Sequence, residues 1–453
     1  MPVDSRINIK SFIDSRPIAW PQYLLAALCF LVVMTDGIDV AIMAYLAPSI
    51  MQEWGISRTQ FGIVMSLAPV GLVIGALCAG PISDRLGRKK ILVTSVFLFG
   101  LCCLLTAFTS STLQMAVMRL LTGIGLGAAM PITTTLLSEY VPERRRGLMI
   151  TTMSIGFGVG SAAVGFAAGW MIPHWGWRSV LMLGGILPLM LVPLLVWLLP
   201  ESARFMLVRG QAMTQIARML ERVCRTSLPA GTTFFSDEPS TPAKAPFRLL
   251  FQHNLGRTTL ALWCTYFMGL LVIYLLTGWL PTLIKDAGLP ITEAAHVTAM
   301  FQTGGIVGAI LTGWAMDRGY PTRVIATAYF LGALCVLGVG QSGPLAGSLP
   351  FWMLAAGFFI NGAQTGLNAH APSCYPTAVR ATGVSWMLGM GRFGSIFGTA
   401  AGGLLLSLGW TFSGIVSLLA IPTALAGVAI IASAIRPART TPQSLPQASR
   451  LPS

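Results

Sequence analysis

Long apolar segments separated by short polar turns run along most of the chain, and twelve of them can be delimited. An α-helix rises about 1.5 Å per residue, so each segment is long enough to cross a hydrocarbon core of roughly 30 Å. The pattern therefore predicts an all-α polytopic membrane protein with twelve transmembrane helices. The predicted spans cover 22–47, 60–82, 91–109, 113–140, 148–172, 178–199, 258–283, 296–316, 324–342, 350–375, 382–408 and 411–435.

Composition supports this class of protein and excludes several others. The 453 residues are 54% hydrophobic and 10% charged, whereas roughly 25% of residues are charged in an average soluble domain. A soluble enzyme with a membrane anchor, a coiled coil and a disordered protein are excluded. An outer-membrane barrel is also excluded, because its strands would give shorter segments of alternating hydrophobicity.

The formal net charge of +14 is explained by the placement of the basic residues. Of 29 Lys and Arg residues, Arg58, Arg178 and Lys285 lie on one side of the predicted bundle, Arg119 and Arg392 fall inside spans, and the other 24 lie on the opposite side. Basic residues concentrate on the cytoplasmic side of membrane proteins. The charge therefore predicts cytoplasmic termini and a multi-pass protein of the bacterial inner membrane, and does not indicate a nucleic-acid partner.

The longest polar interruption divides the spans six and six. It predicts an N-terminal half over 1–200, a cytoplasmic linker over 201–257, a C-terminal half over 258–435 and a disordered cytoplasmic tail over 436–453. Within the linker, the spacing of apolar residues over 211–225 predicts an amphipathic helix on the membrane surface.

The two halves repeat each other in sequence. An Asp-Arg pair follows the second span at Asp84 and the eighth at Asp317, 233 positions later. Pro142 follows the fourth span and Pro376 follows the tenth, 234 positions apart. Two duplicated six-helix halves are typical of secondary transporters, which bind substrate near the membrane midplane between the halves.

Five motifs are spread over nearly the whole chain. They are D-G-I-D at 36–39, the loop motif from Gly80 to Lys90, P-E-S-A-R at 200–204, W-L-P at 279–281, and the stretch from Asn368 to Gly383. Together they resemble the motifs of the major facilitator superfamily and, within it, of the aromatic acid/proton symporter family. The resemblance implies proton-driven import of a small aromatic carboxylate, such as a hydroxybenzoate, protocatechuate or gallate, by alternating access.

Asp36 and Asp39 are the candidate proton-coupling residues. A charge at the middle of a bilayer costs at least about 2.5–3.5 kcal/mol, so intramembrane carboxylates indicate function. Residues three apart share one face of a helix. Two neighbouring carboxylates in a low-dielectric environment cannot both ionise cheaply, so one is expected to hold a proton. The alternative is that arginines neutralise both without any titration during transport.

Arg119 and Arg392 are candidate substrate-binding residues. A guanidinium donates two parallel hydrogen bonds to a carboxylate. We expect Arg392 to bind the substrate anion, because the glycines of the stretch 389–394 surround it and leave room for a ligand. Arg119 either takes part in binding or pairs with a first-span aspartate, and for both arginines the alternative is a fixed structural ion pair.

Three amide side chains of the tenth span complete the predicted binding site. Asn361, Gln364 and Asn368 follow an i, i+3, i+7 spacing, which places them on one helical face. Amides can bind ring hydroxyls or a carboxylate.

The resemblance also implies a cytoplasmic gate that latches the outward-facing state. The gate motif occurs once in each half. The copy at Asp317 lacks the Gly-Arg-Lys sequence that follows Asp84 in the first copy, so the second latch is expected to be weaker. The alternative is that these charges only set the topology. The gate residues are Gly80, Asp84, Arg85 and Arg88 in the first copy, Asp317 and Arg318 in the second, with Glu139 and Arg146 joining the first.

Other functional classes find less support. The G-x-G-x-x-G at 389–394 lies in an apolar span rather than after a strand, so it is not a dinucleotide site. No zinc-protease or Walker-type motif occurs in the sequence, and no enzymatic activity, metal or cofactor is expected. The alternatives are a proton-driven exporter of drugs or other organic compounds, which would be expected to carry a Gly-Pro pair in span five, and a non-transporting sensor. The expected partners are substrate, protons and lipid, and a monomer suffices.

Overall fold

The computed structural model describes residues 6–229, 231–235, 247–252, 255–343 and 347–434. Helices make up almost all of these residues, with two three-residue strands, β1 (Arg6–Asn8) and β2 (Thr233–Phe235), and two short 3-10 helices, Phe247–Phe251 and Ala371–Cys374. The tail over 436–453 and part of the linker lie outside the described residues.

The α-helices fall into three groups along the chain. The N-terminal half contains α1 (Ile9–Asp14), α2 (Trp20–Trp54), α3 (Arg58–Leu86), α4 (Arg88–Thr106), α5 (Thr112–Tyr140), α6 (Glu143–Trp175) and α7 (Trp177–Leu198). The linker contains α8 (Ala203–Val208) and α9 (Met213–Cys224). The C-terminal half contains α10 (Leu255–Asp286), α11 (Ile291–Arg318), α12 (Pro321–Ser342), α13 (Leu349–His370), α14 (Thr377–Ser407), α15 (Phe412–Leu418) and α16 (Ala420–Ala434).

Each predicted span coincides with a helix, although the last is interrupted. Ten helical segments of the described chain are long and apolar enough to cross a membrane, and the stretch through α15 and α16 counts as one of them. Helices α13 and α14 are not among the ten. They carry the amides of the tenth span and Arg392, respectively, and such polar residues lower the mean hydropathy of a helix. The described chain has the predicted all-α fold.

Helix packing in the N-terminal half is repeated in the C-terminal half. Helix α2 packs against α6 and α3 against α5, and in the same way α10 packs against α14 and α11 against α13. The sequence landmarks occupy equivalent places, because Pro142 and Pro376 are the N-cap residues of α6 and α14. The halves meet through three helix pairs, α3 with α14, α6 with α11 and α2 with α10.

Close approach of helix backbones explains the glycine of the D-G-x-D motif. A side chain at Gly37 would overlap the backbone of Phe157 in α6. Small residues at such crossings allow helices to pack tightly in a membrane, where apolar side chains gain nothing by leaving lipid. Gly37 therefore fixes the contact between α2 and α6 beside the two aspartates.

One end of the bundle, called the linker face below, carries α1, α8, α9 and the two strands. Strand β1 pairs in parallel with β2. The Asp14 carboxylate accepts a hydrogen bond of 2.8 Å from the backbone N–H of Glu143, the first residue of α6. Helix α9 is amphipathic as predicted, but it buries Ile216, Leu220 and Val223 against the N-terminal half and not on the membrane surface. The N-terminal segment and part of the linker thus form a cap on this half.

At the opposite end, called the far face below, the two halves are in contact. The Arg58 guanidinium pairs with the Asp286 carboxylate across the halves at 2.6 Å. Beneath this ion pair, the buried ring of Trp279 lies edge-to-face with Phe61, with ring centroids 6.5 Å apart. Both contacts join an N-terminal helix to a C-terminal one, so this end of the bundle is closed.

Toward the linker face the same helix pairs diverge. In α3, α6 and α11, the glycines nearest this face have no neighbouring atom within 4 Å of the place that a Cβ would occupy, and they are Gly80, Gly147 and Gly313. In α14, Gly389 is open in the same way, whereas Gly383, nearer the face, packs against Tyr375. The halves therefore separate toward the linker face, and the space between them opens to that side.

Candidate transport site

A cavity of about 1170 Å³, including its open mouth, lies between the two halves. Helices α2, α3, α5 and α6 line it from one side and α10, α11, α13 and α14 from the other. Much of its wall is apolar, with Met43, Met65, Phe157 and Ile273 among the lining residues. Ligand sites are usually concave and apolar with a few placed polar groups. This cavity has that character.

A buried ion pair forms part of the N-terminal wall. Arg119 Nη1 lies 3.2 Å from Asp39 Oδ1 and 3.3 Å from Oδ2. The other terminal nitrogen of Arg119 donates to the hydroxyls of Thr106 at 3.2 Å and Thr122 at 3.4 Å. Arg119 and Asp39 are both buried and both line the cavity. Of the two expectations for Arg119, pairing with a first-span aspartate agrees with the structure.

Asp36 lies one helical turn from Asp39 but has a different environment. Its side chain is buried, and Oδ1 has no hydrogen-bond partner among the described residues. The charges of Arg392 and Asp39 act on it. Two adjacent acids of the same helix therefore differ, because Asp39 is paired with an arginine and Asp36 is not in direct contact with one.

Arg392, in α14, has no carboxylate within 4.0 Å in the part of the chain that the structure describes. It is half-buried and interacts electrostatically with Tyr274, Tyr266 and Asp36. Tyr274 lines the cavity, whereas Arg392 is not among the lining residues and is linked to the cavity wall through its interaction with Tyr274. Its guanidinium can therefore take a further anionic partner.

The expectation that glycines leave room around Arg392 is wrong for two of the three. A side chain at Gly391 would overlap the ring of Tyr266, and one at Gly394 would overlap the backbone of Phe267. Both glycines accommodate α10, which packs against α14 along its length. Open space remains at Gly389, and the space for a ligand lies in the cavity between the halves.

The three amides of α13 do not share one environment, contrary to the expectation of a common binding face. Asn361 lines the cavity. Gln364 is buried, and its Oε1 accepts a 2.7 Å hydrogen bond from the Tyr329 hydroxyl in α12. Asn368 is exposed and interacts with Tyr266. Packing of α13 against α12 turns Gln364 away from the cavity.

Sequence reasoning missed several polar residues of the C-terminal wall, including Gln302 and Thr277. Gln302 in α11 donates a 2.5 Å hydrogen bond to the Ser161 hydroxyl in α6, which joins the two halves beside the cavity. Thr277 in α10 lines the cavity as well. The available signal was weak, because an isolated Gln or Thr in an apolar span usually serves helix packing.

The first copy of the predicted gate is built around two glutamates. Arg88, the first residue of α4, forms an ion pair with Glu139. Glu201 Oε1 accepts hydrogen bonds from the backbone N–H groups of Arg88 at 2.9 Å and Lys89 at 3.1 Å. A carboxylate at a helix N-terminus satisfies free N–H groups and is favoured by the helix dipole. Ser202 donates to Glu139 at 2.6 Å and completes this network.

Glu201 and Ser202 were recognised as parts of the P-E-S-A-R motif, but they were not assigned to the gate. An acid directly after the end of α7 was the available signal. Its contact with α4 depends on how α4 and α7 pack, which the sequence pattern does not specify.

Other predicted gate residues are not joined to this network by ion pairs. Asp84 is exposed, and within the described ranges no basic group lies within 4.0 Å of its carboxylate. The backbone carbonyl of Arg85 accepts a hydrogen bond from Arg209. Arg146 lines a smaller pocket at the linker face together with Glu139 and Lys10.

The second copy of the gate has a different interaction. Arg318 lies over the ring of Trp314, with its guanidinium carbon 4.2 Å from the ring centroid. No ion pair involving Asp317 or Arg318 is found among the described residues. A cation–π contact replaces the ionic network of the first copy.

Comparison with known proteins gives one family and consistent relatives. The profile of the Major Facilitator Superfamily matches residues 28–379 and, in a second match, residues 262–452. The chain is 56% identical to a gallate transporter of Pseudomonas putida over 441 residues, which is 97% of this chain and 98% of that protein. It is 45% identical to the 4-hydroxybenzoate transporter PcaK of Pseudomonas aeruginosa, over 95% of this chain and 96% of that protein.

Solved structures share the fold at low sequence identity. The inward-open structure of the xylose transporter XylE from E. coli superposes with a TM-score of 0.72 at 16% identity, covering 92% of this chain and 98% of that one. A D-xylose–proton symporter gives a TM-score of 0.71, also at 16% identity, covering 90% of this chain and 97% of that one.

Proposed function

The chain belongs to the major facilitator superfamily, and we propose that it imports a small hydroxylated aromatic carboxylate together with protons by alternating access. Its relatives are transporters and not enzymes, and their names refer to gallate and 4-hydroxybenzoate. These two compounds share a carboxylate, a planar ring and at least one ring hydroxyl. No relative reported above is named as an exporter, so the alternative of a drug exporter gains no support.

Arg392 is the observation that carries this proposal. It interacts with Tyr274 of the cavity wall, and the described residues provide no carboxylate in contact with it. A bare carboxylate is costly to bring into the membrane without a compensating positive charge. Arg392 supplies that charge through two parallel hydrogen bonds. Arg119 is less available, because Asp39 and two threonines already occupy its terminal nitrogens.

Proton coupling is assigned to Asp36 and Asp39. Asp39 is held by Arg119, so protonation of Asp39 would release this arginine and change the contact between α2 and α5. Asp36 interacts with Arg392 across the two halves. Binding of a substrate anion to Arg392 would therefore alter the charge that Asp36 experiences, and this links the substrate to the proton site.

The linker face is assigned to the cytoplasm of a bacterial cell, with the chain in the inner membrane. The concentration of basic residues near that face supports this orientation. The cavity then opens inward and the far face is closed, so the structure corresponds to an inward-facing state. A complete cavity forms within one chain, and we assign a monomer as the transporting unit.

Substitution of Arg392 tests the proposal. Binding of 4-hydroxybenzoate and gallate is measured with purified protein, beside uptake into membrane vesicles with an imposed inward proton gradient. We expect the native protein to accumulate at least one of the acids and to lose accumulation when a protonophore is added. Arg392→Ala should lose binding, by about 10-fold or more given the strength of a charge-assisted pair. Arg392→Lys should recover little, because an ammonium cannot form the two-pronged contact.

Arg380→Ala is the matched control, because it removes a guanidinium near the start of the same helix and far from the cavity. Normal binding by Arg392→Ala would contradict the assignment of the anion site. Accumulation by the native protein that is independent of the gradient would contradict symport.

A further inference from the structure

Two residues of the cavity wall carry a buried polar atom that has no hydrogen-bond partner among the described residues. One is Arg119, whose Nε is unpaired although its terminal nitrogens are bound. The other is Thr277, whose hydroxyl has no partner at all in the described part of the chain. Thr282 and Tyr45 also have unpaired hydroxyls, but neither lines the cavity. A buried hydroxyl without a partner is unfavourable, because it has lost its hydrogen bonds to water.

The unpaired hydroxyl distinguishes Thr277 from most threonines of these helices. A threonine in a helix commonly donates to the backbone carbonyl four residues earlier, and this satisfies its hydroxyl without any outside partner. Thr399 lines the same cavity and does so, with a 2.8 Å bond to the carbonyl of Ser395. The buried threonines with this bond include Thr106, Thr133, Thr265, Thr298, Thr399 and Thr423.

Thr277 lies close to the predicted anion site. Tyr274 and Thr277 are three residues apart in α10, so they share one helical face, and both line the cavity. Three residues correspond to about 4.5 Å along the helix axis. Tyr274 interacts with Arg392. A substrate whose carboxylate is bound by Arg392 and whose ring lies across Tyr274 therefore places the opposite edge of the ring at the level of Thr277.

We propose that Thr277 recognises a ring hydroxyl of the substrate and thereby makes the transporter prefer hydroxylated aromatic acids over benzoate. This inference rests on the proposed function. In 4-hydroxybenzoate and gallate, a hydroxyl stands opposite the carboxylate on the ring. That hydroxyl can exchange a hydrogen bond with Thr277, which then gains the partner that it lacks in the empty cavity. Benzoate has no group at that position and leaves Thr277 unpaired.

The preference for a hydroxylated acid over benzoate follows from the cost of leaving the buried Thr277 hydroxyl without a hydrogen-bond partner. A site that forms a hydrogen bond with a substrate hydroxyl rejects the analogue without it, because the polar group of the site then stays buried and unpaired. An apolar wall at the same place would distinguish the two acids much less. Asn361, another polar residue of the C-terminal wall, can assist in binding but is not required for the preference.

The test compares the binding of 4-hydroxybenzoate and benzoate to purified Thr277→Val. Valine has nearly the shape of threonine, so packing is kept and the hydroxyl is lost. We expect 4-hydroxybenzoate to bind roughly 3- to 10-fold more weakly, the change that corresponds to one neutral hydrogen bond. Benzoate should bind as it does to the native protein, which also reports that the variant is folded. Thr277→Ser keeps the hydroxyl and should retain most of the preference.

Thr298→Val is the matched control, because Thr298 is buried in α11, bonds to its own helix and does not line the cavity. It should leave the ratio of the two affinities unchanged. An unchanged ratio in Thr277→Val, or an equal loss for both acids, would overturn the role of Thr277. If the native protein binds neither acid, the proposed function itself is wrong and the inference falls with it.

Discussion

The two halves of the molecule share one arrangement of helices but differ in how they use charge. In the N-terminal half, two charged pairs form, Asp39 with Arg119 inside the membrane and Arg88 with Glu139 at the linker face, whereas Asp36 and Asp84 are in no ion pair with a described residue. In the C-terminal half, no carboxylate of the described residues contacts Arg392. The residues of this half that line the cavity are uncharged. Repeated packing therefore does not imply repeated chemistry.

This difference suggests a division of labour. Packing is repeated because it depends on backbone contacts at small residues, such as that between Gly37 and Phe157. The chemistry depends on single side chains and can diverge between the halves. Paired charges are suited to a switch, since protonation of one partner releases the other. An arginine without a bound carboxylate, beside neutral amides and hydroxyls, is suited to recognising an aromatic acid.

The largest effect is expected for Asp39→Asn, which removes the switch from the N-terminal half. Gradient-driven accumulation should be abolished, whereas exchange of substrate between the two sides of the membrane should persist, because Arg392 still binds the anion. The measurement compares uptake driven by a proton gradient with counterflow at equal pH. Accumulation at the native level in Asp39→Asn would show that the switch lies elsewhere.

A second variant separates coupling from folding. Asp39→Asn leaves the Arg119 charge buried and unpaired, and loss of one partner of a buried pair destabilises a protein by about 3–5 kcal/mol. The double variant Asp39→Asn/Arg119→Met removes both charges and should recover much of this stability. It should still fail to accumulate substrate. Recovery of accumulation in the double variant would mean that Asp39 serves only to neutralise Arg119.

An intermediate effect is expected for Asp84→Asn at the linker face. In this structure, which is open at the linker face, Asp84 is exposed, while its neighbour Arg88 is fixed by Glu139 and by the contact of Glu201 with the start of α4. We expect Asp84 to gain a partner when the halves close at this face. Loss of one charge-assisted bond in the closed state should slow uptake by about 10-fold. Uptake rates, normalised to the amount of inserted protein, provide the measurement, and native rates would exclude a gating role.

The fold could be predicted from the sequence because it depends on the average hydropathy of long segments and on their number. Twelve apolar segments and a duplicated Asp-Arg landmark specify the number of helices and their grouping, and single residues hardly affect either. The interruption at Leu419 between α15 and α16 was not predicted, although Pro422 gives a signal for it, because proline has no N–H to donate to the carbonyl of Leu418.

The site was only partly predictable because it depends on which neighbour each side chain meets. Asp39, Arg119 and Asn361 were identified, since charged and amide groups are unusual in apolar spans. Gln364 carries an amide that could bind a ligand, yet its Oε1 already accepts a hydrogen bond from the Tyr329 hydroxyl. Thr277 was missed because a threonine signals function only when its hydroxyl is unpaired, and that requires the coordinates of its own helix.

The smallest effect is expected for Asp317→Asn in the second copy of the gate. Arg318 is held over Trp314 by a cation–π contact, and the described residues give Asp317 no ion pair to lose. An exposed charge with no fixed network contributes little, so uptake should fall by less than about 5-fold. Asp84→Asn, measured in the same vesicles, is the matched comparison because the two residues occupy equivalent helix ends. A greater loss in Asp317→Asn than in Asp84→Asn would reverse the ranking of the two copies. It would also mean that Asp317 gains, when the halves close at the linker face, a stronger ionic contact than Asp84 does.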